Sequence, residues 1–98
     1  MIQLLFTKQA ATDLKNIGRF TQRQWGKKAR IEYLCRLQCA FSRLVANPGL
    51  GSVRKELSDS FRILPVARHL VVYRIDDENH VVIVRVLHQS MDFMNASL

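Results

Sequence analysis

The chain has 98 residues, 48% of them hydrophobic, which is enough for one packed core and too few for two. Fifteen Lys and Arg against eight Asp and Glu leave a net charge of +7, a balance that favours nucleic acid, an anionic membrane or an acidic protein as partner. The hydrophobic share excludes a disordered tail, and no apolar run approaches the roughly 20 residues that a membrane-spanning helix needs.

In chain order, residues 2–6 read as a short first strand, too brief to be the core of a signal peptide. Thr7 is placed to cap a helix over 8–24. On it Ala10, Ala11, Leu14, Ile17, Gly18, Thr21 and Trp25 fall on one face, with Lys15, Arg19, Gln22 and Arg23 on the other. Trp25 is the only tryptophan and reads more readily as a core plug at the helix–helix turn than as an anchor for a partner. Gly26 ends this helix.

A second helix is predicted over 27–46, opening on the basic cluster Lys27, Lys28 and Arg30. Its apolar arc (Ile31, Tyr33, Leu34, Leu37, Ala40, Phe41, Leu44, Val45) is wider than a helix covered on one side requires; packing on both the sheet and the first helix uses much of it, and a bound partner has room on the rest. Cys35 and Cys39, at i and i+4, point the same way along the axis and read as reduced, partly buried packing residues of a cytoplasmic chain. Asn47-Pro48-Gly49 breaks the helix, and residues 52–60 read as a loop.

Strands are expected at about 61–64, 68–75 and 80–87, the last two joined by the acidic turn Asp76-Asp77-Glu78-Asn79. Residues 90–96 form a short terminal helix or stay mobile. The order β-α-α-β-β-β gives an α+β domain over residues 1–98, a helical hairpin on a mostly antiparallel four-stranded sheet. A turn centred on Asp77-Glu78 pairs Tyr73 with Val82, Val71 with Val84 and Val72 with Ile83. That register puts Val71, Tyr73, Val82, Val84 and Val86 under the helices, and Arg68, Arg74 and Arg85 on the open face among Leu70, Val72, Ile83 and Leu87. Arginines among aliphatic side chains suit a protein interface, or simply cover the sheet with their stems.

Residues 68–74 (Arg68-His69, Val72-Tyr73-Arg74) and 85–92 (Arg85-Val86-Leu87-His88-Gln89-Ser90-Met91-Asp92) resemble the C-terminal half of ParE-type toxins of the RelE/ParE toxin–antitoxin superfamily. Ala11-Thr12-Asp13-Leu14-Lys15-Asn16-Ile17, then Gly26, Ala29, Tyr33 and Leu37, then Leu44, Asn47-Pro48, Gly51 and Arg62 extend the resemblance over the whole chain. The resemblance implies a non-enzymatic toxin that inhibits DNA gyrase, without a cofactor, neutralised by a ParD-like antitoxin that folds around it. It places target contact at Arg68, Arg74, Arg85, His88, Met91 and Phe93, and antitoxin contact at Phe20, Leu34, Leu37, Phe41 and Arg62.

The competing reading is a ribosome-dependent mRNA endonuclease of the RelE branch. Against it stand Leu70 and Gln89 where those toxins carry basic residues, and a tail from Met91 without Tyr, His, Lys or Arg to activate a hydroxyl or stabilise an oxyphosphorane. His88 is the best single candidate for acid–base work, the chemistry an imidazole suits, but it has no carboxylate to orient it in the sequence, which favours a structural hydrogen bond. Three histidines without clustered acids predict no metal site. The third reading, a small nucleic-acid-binding domain, lacks a helix-turn-helix pattern or an aromatic platform, and membrane contact is not expected.

Overall fold

A computed structural model describes residues 2–54 and 60–90. The elements are β1 (Leu4–Phe6), α1 (Lys8–Trp25), α2 (Lys27–Ala46), a short turn of tight helix (Pro48–Leu50), β2 (Ser52–Val53), β3 (Phe61–Val66), β4 (His69–Ile75) and β5 (Val81–His88). The architecture is α+β as expected, with one strand more: Ser52–Val53, expected as loop, pairs antiparallel with β3 and makes the sheet five-stranded, in the order β1-β5-β4-β3-β2. β1 runs parallel to β5; the other neighbours are antiparallel. The short helix expected over 90–96 lies almost wholly outside the described residues.

The helix boundaries follow from their caps. Thr7 accepts the Ala10 N–H at 3.1 Å while its hydroxyl donates to the Val84 carbonyl at 2.7 Å, so one side chain starts α1 and ties it to β5. Gly26, at φ 95°, turns the chain between the helices in a conformation that side-chain-bearing residues rarely adopt. α1 buries Ala10, Ile17, Gly18 and Thr21, and α2 buries Leu37, Ala40, Phe41 and Leu44. Of these, Ala10, Ile17, Leu37, Phe41 and Leu44 meet Val71, Tyr73, Val81, Ile83 and Val86 of the sheet in the main core.

The β4–β5 hairpin departs from the expected register twice. Its loop holds five residues, because Ile75 pairs with Val81. The Asp76 carboxylate accepts the Glu78 and His80 N–H groups at 3.0 and 2.8 Å, and Asn79 takes the left-handed conformation at φ 65°. The longer loop pairs Tyr73 with Ile83, not Val82. Further along, Val72 pairs with Arg85, so Val84 is an extra residue, a β-bulge. Consequently Val81 and Ile83 lie under the helices, whereas Val84, expected there, joins Ile63, Val72 and Leu87 in a second cluster with Phe61 and Leu70 on the opposite face.

Tyr73 shows how the helix side of the sheet is closed. It is wholly buried; its hydroxyl accepts the Gly51 N–H and donates to the Pro48 carbonyl, both at 2.7 Å. Burial raises its pKa, with the Gly51 hydrogen bond opposing. A Cβ on Gly51 would stand 2.6 Å from a Tyr73 ring carbon and 2.7 Å from the hydroxyl. Gly51→Ala should therefore lower stability by roughly 2–3 kcal/mol, the cost of overpacking plus a displaced hydrogen bond. Gly49→Ala, whose Cβ meets nothing nearer than 3.8 Å, should cost less than about 1 kcal/mol. Urea unfolding of the two variants checks this, and equal losses would contradict it.

Candidate functional site

The bulge decides where the basic residues point. β1 ends at Phe6, and beyond it the edge of β5 has no strand partner. Asp13 of α1 takes that place. Its carboxylate accepts the Val86 N–H at 2.9 Å and the Arg85 guanidinium at 2.8 and 3.1 Å. The Arg85 and Asp13 side chains are 16% and 14% exposed, so the pair is largely shielded from water. The Asp13 hydrogen bonds raise the Arg85 pKa above its ordinary value, with burial opposing them. Arg85 is thus held at the edge of the sheet by α1, which corrects its expected place on the open face.

Arg68 also leaves that face. It follows Ala67 in the two-residue turn between β3 and β4, and its guanidinium lies 5.5 Å from the centre of the Trp25 ring at the end of α1. Only Arg74, opposite Phe61 and Val82, remains of the three expected arginines. The open face is otherwise the apolar cluster around Ile63 and Val72.

His88 ends β5 and is exposed, with its Nδ1 2.7 Å from the Ser90 hydroxyl and its ring edge-on to His69 at 5.3 Å. Met91 and Phe93, the other expected target contacts, lie outside the described residues. No side chain described here pairs with His88 as a carboxylate orienter. Among the described residues no group of His, Cys, Asp and Glu could hold a metal ion.

Among the described residues His69 is the most perturbed titratable group. The Tyr33 hydroxyl accepts the Arg68 N–H at 3.1 Å and shares a hydrogen bond of 2.5 Å with His69 Nδ1. Burial pushes the His69 pKa down to about 4, with His88 adding to the effect and Asp13 opposing it.

The expected antitoxin contacts divide. Phe20 is exposed and stacks edge-on to Trp25. Leu34 is half-buried against the core. Leu37 and Phe41 are 1% and 2% exposed, so this part of the apolar arc of α2 is spent inside the molecule, and these two are corrected from partner contacts to core. Arg62 donates to the Gly51 carbonyl at 2.8 Å and steadies the loop before β2. Two further readings are overturned: Trp25 is 57% exposed rather than a core plug, and Cys35 and Cys39 are both exposed.

The family described as ParE toxin of type II toxin-antitoxin system, parDE, matches residues 4–93. The chain belongs to the ParE toxin family. It is 36% identical over 88 residues to Toxin ParE1 of Mycobacterium tuberculosis, covering 90% of each chain, and 30% identical over 94 residues to Toxin ParE of Escherichia coli, covering 96% of this chain and 91% of the relative. Among solved structures, the chromosomal ParDE system from P. aeruginosa superposes with a TM-score of 0.77 at 19% identity, over 90% of this chain and 96% of that one, a likeness of fold. A chain of the toxin–antitoxin complex RelBE2 from Mycobacterium tuberculosis gives 0.59 at 31% identity, over 89% and 96%. Asp13, within the run Ala11–Ile17 that resembles the ParE-type helix start, is thus the carboxylate that clasps Arg85.

The His69 shift predicts an acid-sensitive fold. An unfolded histidine takes its proton near 6.5, the folded one only near 4. The resulting stability is complete above pH 6.5 and falls as pH drops towards 4, on the order of 2 kcal/mol in all. Urea midpoints measured across that window should fall more steeply for the natural chain than for His69→Gln. Parallel slopes would contradict the assignment.

Proposed function

We propose that this ParE-family chain is the toxin of a type II toxin–antitoxin module, that it arrests replication by binding DNA gyrase inside the cell, and that a ParD-like antitoxin neutralises it. The observation that carries the non-enzymatic reading is the chemistry of the open sheet face. It is the apolar cluster of Ile63, Val72, Val84 and Leu87, with Arg85 committed to Asp13. An RNA-cleaving surface needs a base, an acid and cations converging on one phosphate. Leu70 on that face belongs to the apolar cluster, and Gln89 gives its N–H to the Arg68 carbonyl at 2.9 Å. Apolar and guanidinium surface can instead bind a protein target by burial and charge-assisted hydrogen bonds.

The likeness to a chain of RelBE2 keeps one alternative in view, a ribosome-dependent mRNA endonuclease. Induction of the chain alone, with separate pulse-labelling of DNA and protein, distinguishes the two. Incorporation into DNA should stop first, with protein synthesis continuing for a generation or so. Immediate arrest of translation with new mRNA ends would replace gyrase inhibition by RNA cleavage.

A further inference from the structure

The outer face of α1 carries a row of cations that neither the core nor the sheet uses. Lys8, Lys15, Arg19 and Arg23 are all exposed. At 3.6 residues per turn they fall within an arc of about 80°, on the side of the helix away from the buried Ala10, Ile17 and Thr21. Lys15, Arg19 and Arg23 follow one another at a rise of about 6 Å, and the whole row is about 22 Å long. Asn16 and Gln22 flank it and are exposed as well. The Gln22 side-chain oxygen accepts from Arg30 at 2.8 Å, so its amide N–H groups are left to point elsewhere. Asp13 is the only carboxylate of α1, and it is turned to β5, where it holds Arg85 and the Val86 N–H. No ion pair among the described residues engages any of the four cations.

We propose that this face of α1 holds the phosphate backbone of duplex DNA, without reading its sequence. This partner is independent of the gyrase and antitoxin readings above. The side-chain types select the occupant. Contacts to phosphate are made by Arg, Lys and side-chain amides, and they position a protein on DNA without specifying bases. That is the set α1 displays, and it agrees with the absence of a base-reading motif. The centre of a protein interface is instead aromatic and apolar and poor in lysine, and no large apolar side chain falls within the arc. Duplex DNA is favoured over duplex RNA by groove width. An α-helix is about 10–12 Å across, close to the B-form major groove, whereas the A-form major groove is deep and narrow. The row contains neither histidine nor carboxylate, so it has no group to move a proton and holds the phosphates without cleaving them. The net charge of +7 adds long-range attraction to the same polyanion.

The test is a salt titration of the full chain against labelled DNA duplexes of two unrelated sequences, read by fluorescence anisotropy. Each phosphate contact adds about 0.9 to the slope of log affinity against log salt, so four give about −3.6, a weakening of about 150-fold between roughly 50 and 200 mM salt. The two duplexes should bind alike. Arg19→Gln with Arg23→Gln should halve the slope to about −1.8 at an unchanged melting temperature, because both positions are exposed. Arg19→Lys with Arg23→Lys keeps both charges and should keep the slope. Arg36→Gln with Arg43→Gln, exposed on α2, removes the same charge elsewhere and should also keep it. Equal losses from the α1 and α2 pairs would overturn the site, since net charge alone would then account for binding. Polyglutamate bound as tightly as DNA at every salt concentration would overturn it in favour of an acidic protein, and an RNA duplex bound more tightly than DNA in favour of RNA. No binding by the natural chain at the lowest salt would overturn it outright.

Discussion

Which side chains face the helices, and which face away, depends on the extra residue that β5 carries at Val84. The bulge is held from two sides by the first helix. Thr7 donates to the Val84 carbonyl, and Asp13, one and a half turns on, accepts the next free strand N–H at Val86 together with the Arg85 guanidinium. A carboxylate thereby replaces the missing edge strand, and an unpaired backbone donor in a part-buried position is satisfied. The same contact docks α1 against β5, so the packing of the helical hairpin, the register of the sheet and the position of the guanidinium are one problem with one solution.

Function follows from the charge distribution that this solution leaves. A chain with a net charge of +7 has enough cations to build a phosphate-binding face, yet the fold disperses the arginines expected on the sheet. Arg85 goes to Asp13, Arg68 to Trp25, and Arg74 stays with aliphatic neighbours. What remains exposed is aromatic and arginine-rich surface at the end of the helical hairpin. Exposed aromatic and guanidinium groups of this kind suit a protein interface.

Much of the architecture was legible in the sequence. Helical periodicity, Thr7 as a cap and Gly26 as a stop placed both helices to within a residue, and two β-branched runs placed the hairpin. The facing of β5 was not legible, because one residue of loop length and one bulge each reverse alternation, and neither has a composition signal. Asp13 lay in full view within the ParE-like helix pattern, but no local rule says that a helix carboxylate will meet a strand 73 residues later. Leu37 and Phe41 were misplaced because the arc of α2 was divided between core and partner by width alone, and periodicity does not say which of its residues α1 and the sheet will cover. Trp25 was misjudged for the opposite reason: it falls in line with the buried face of α1 but beyond the end of the core that face covers.

The Asp13–Arg85 clasp is a structural commitment rather than a surface ion pair. A double-mutant cycle of Asp13→Ala and Arg85→Ala, read by urea unfolding, measures it directly. The cost of the lost Val86 hydrogen bond is common to both Asp13 variants and cancels. The shielding of the pair predicts a coupling of about 2 kcal/mol or more, with Asp13→Ala alone strongly destabilising. A coupling within about 0.5 kcal/mol of zero, the range of exposed ion pairs, would return Arg85 to the pool of displayed cations and contradict the assignment of faces.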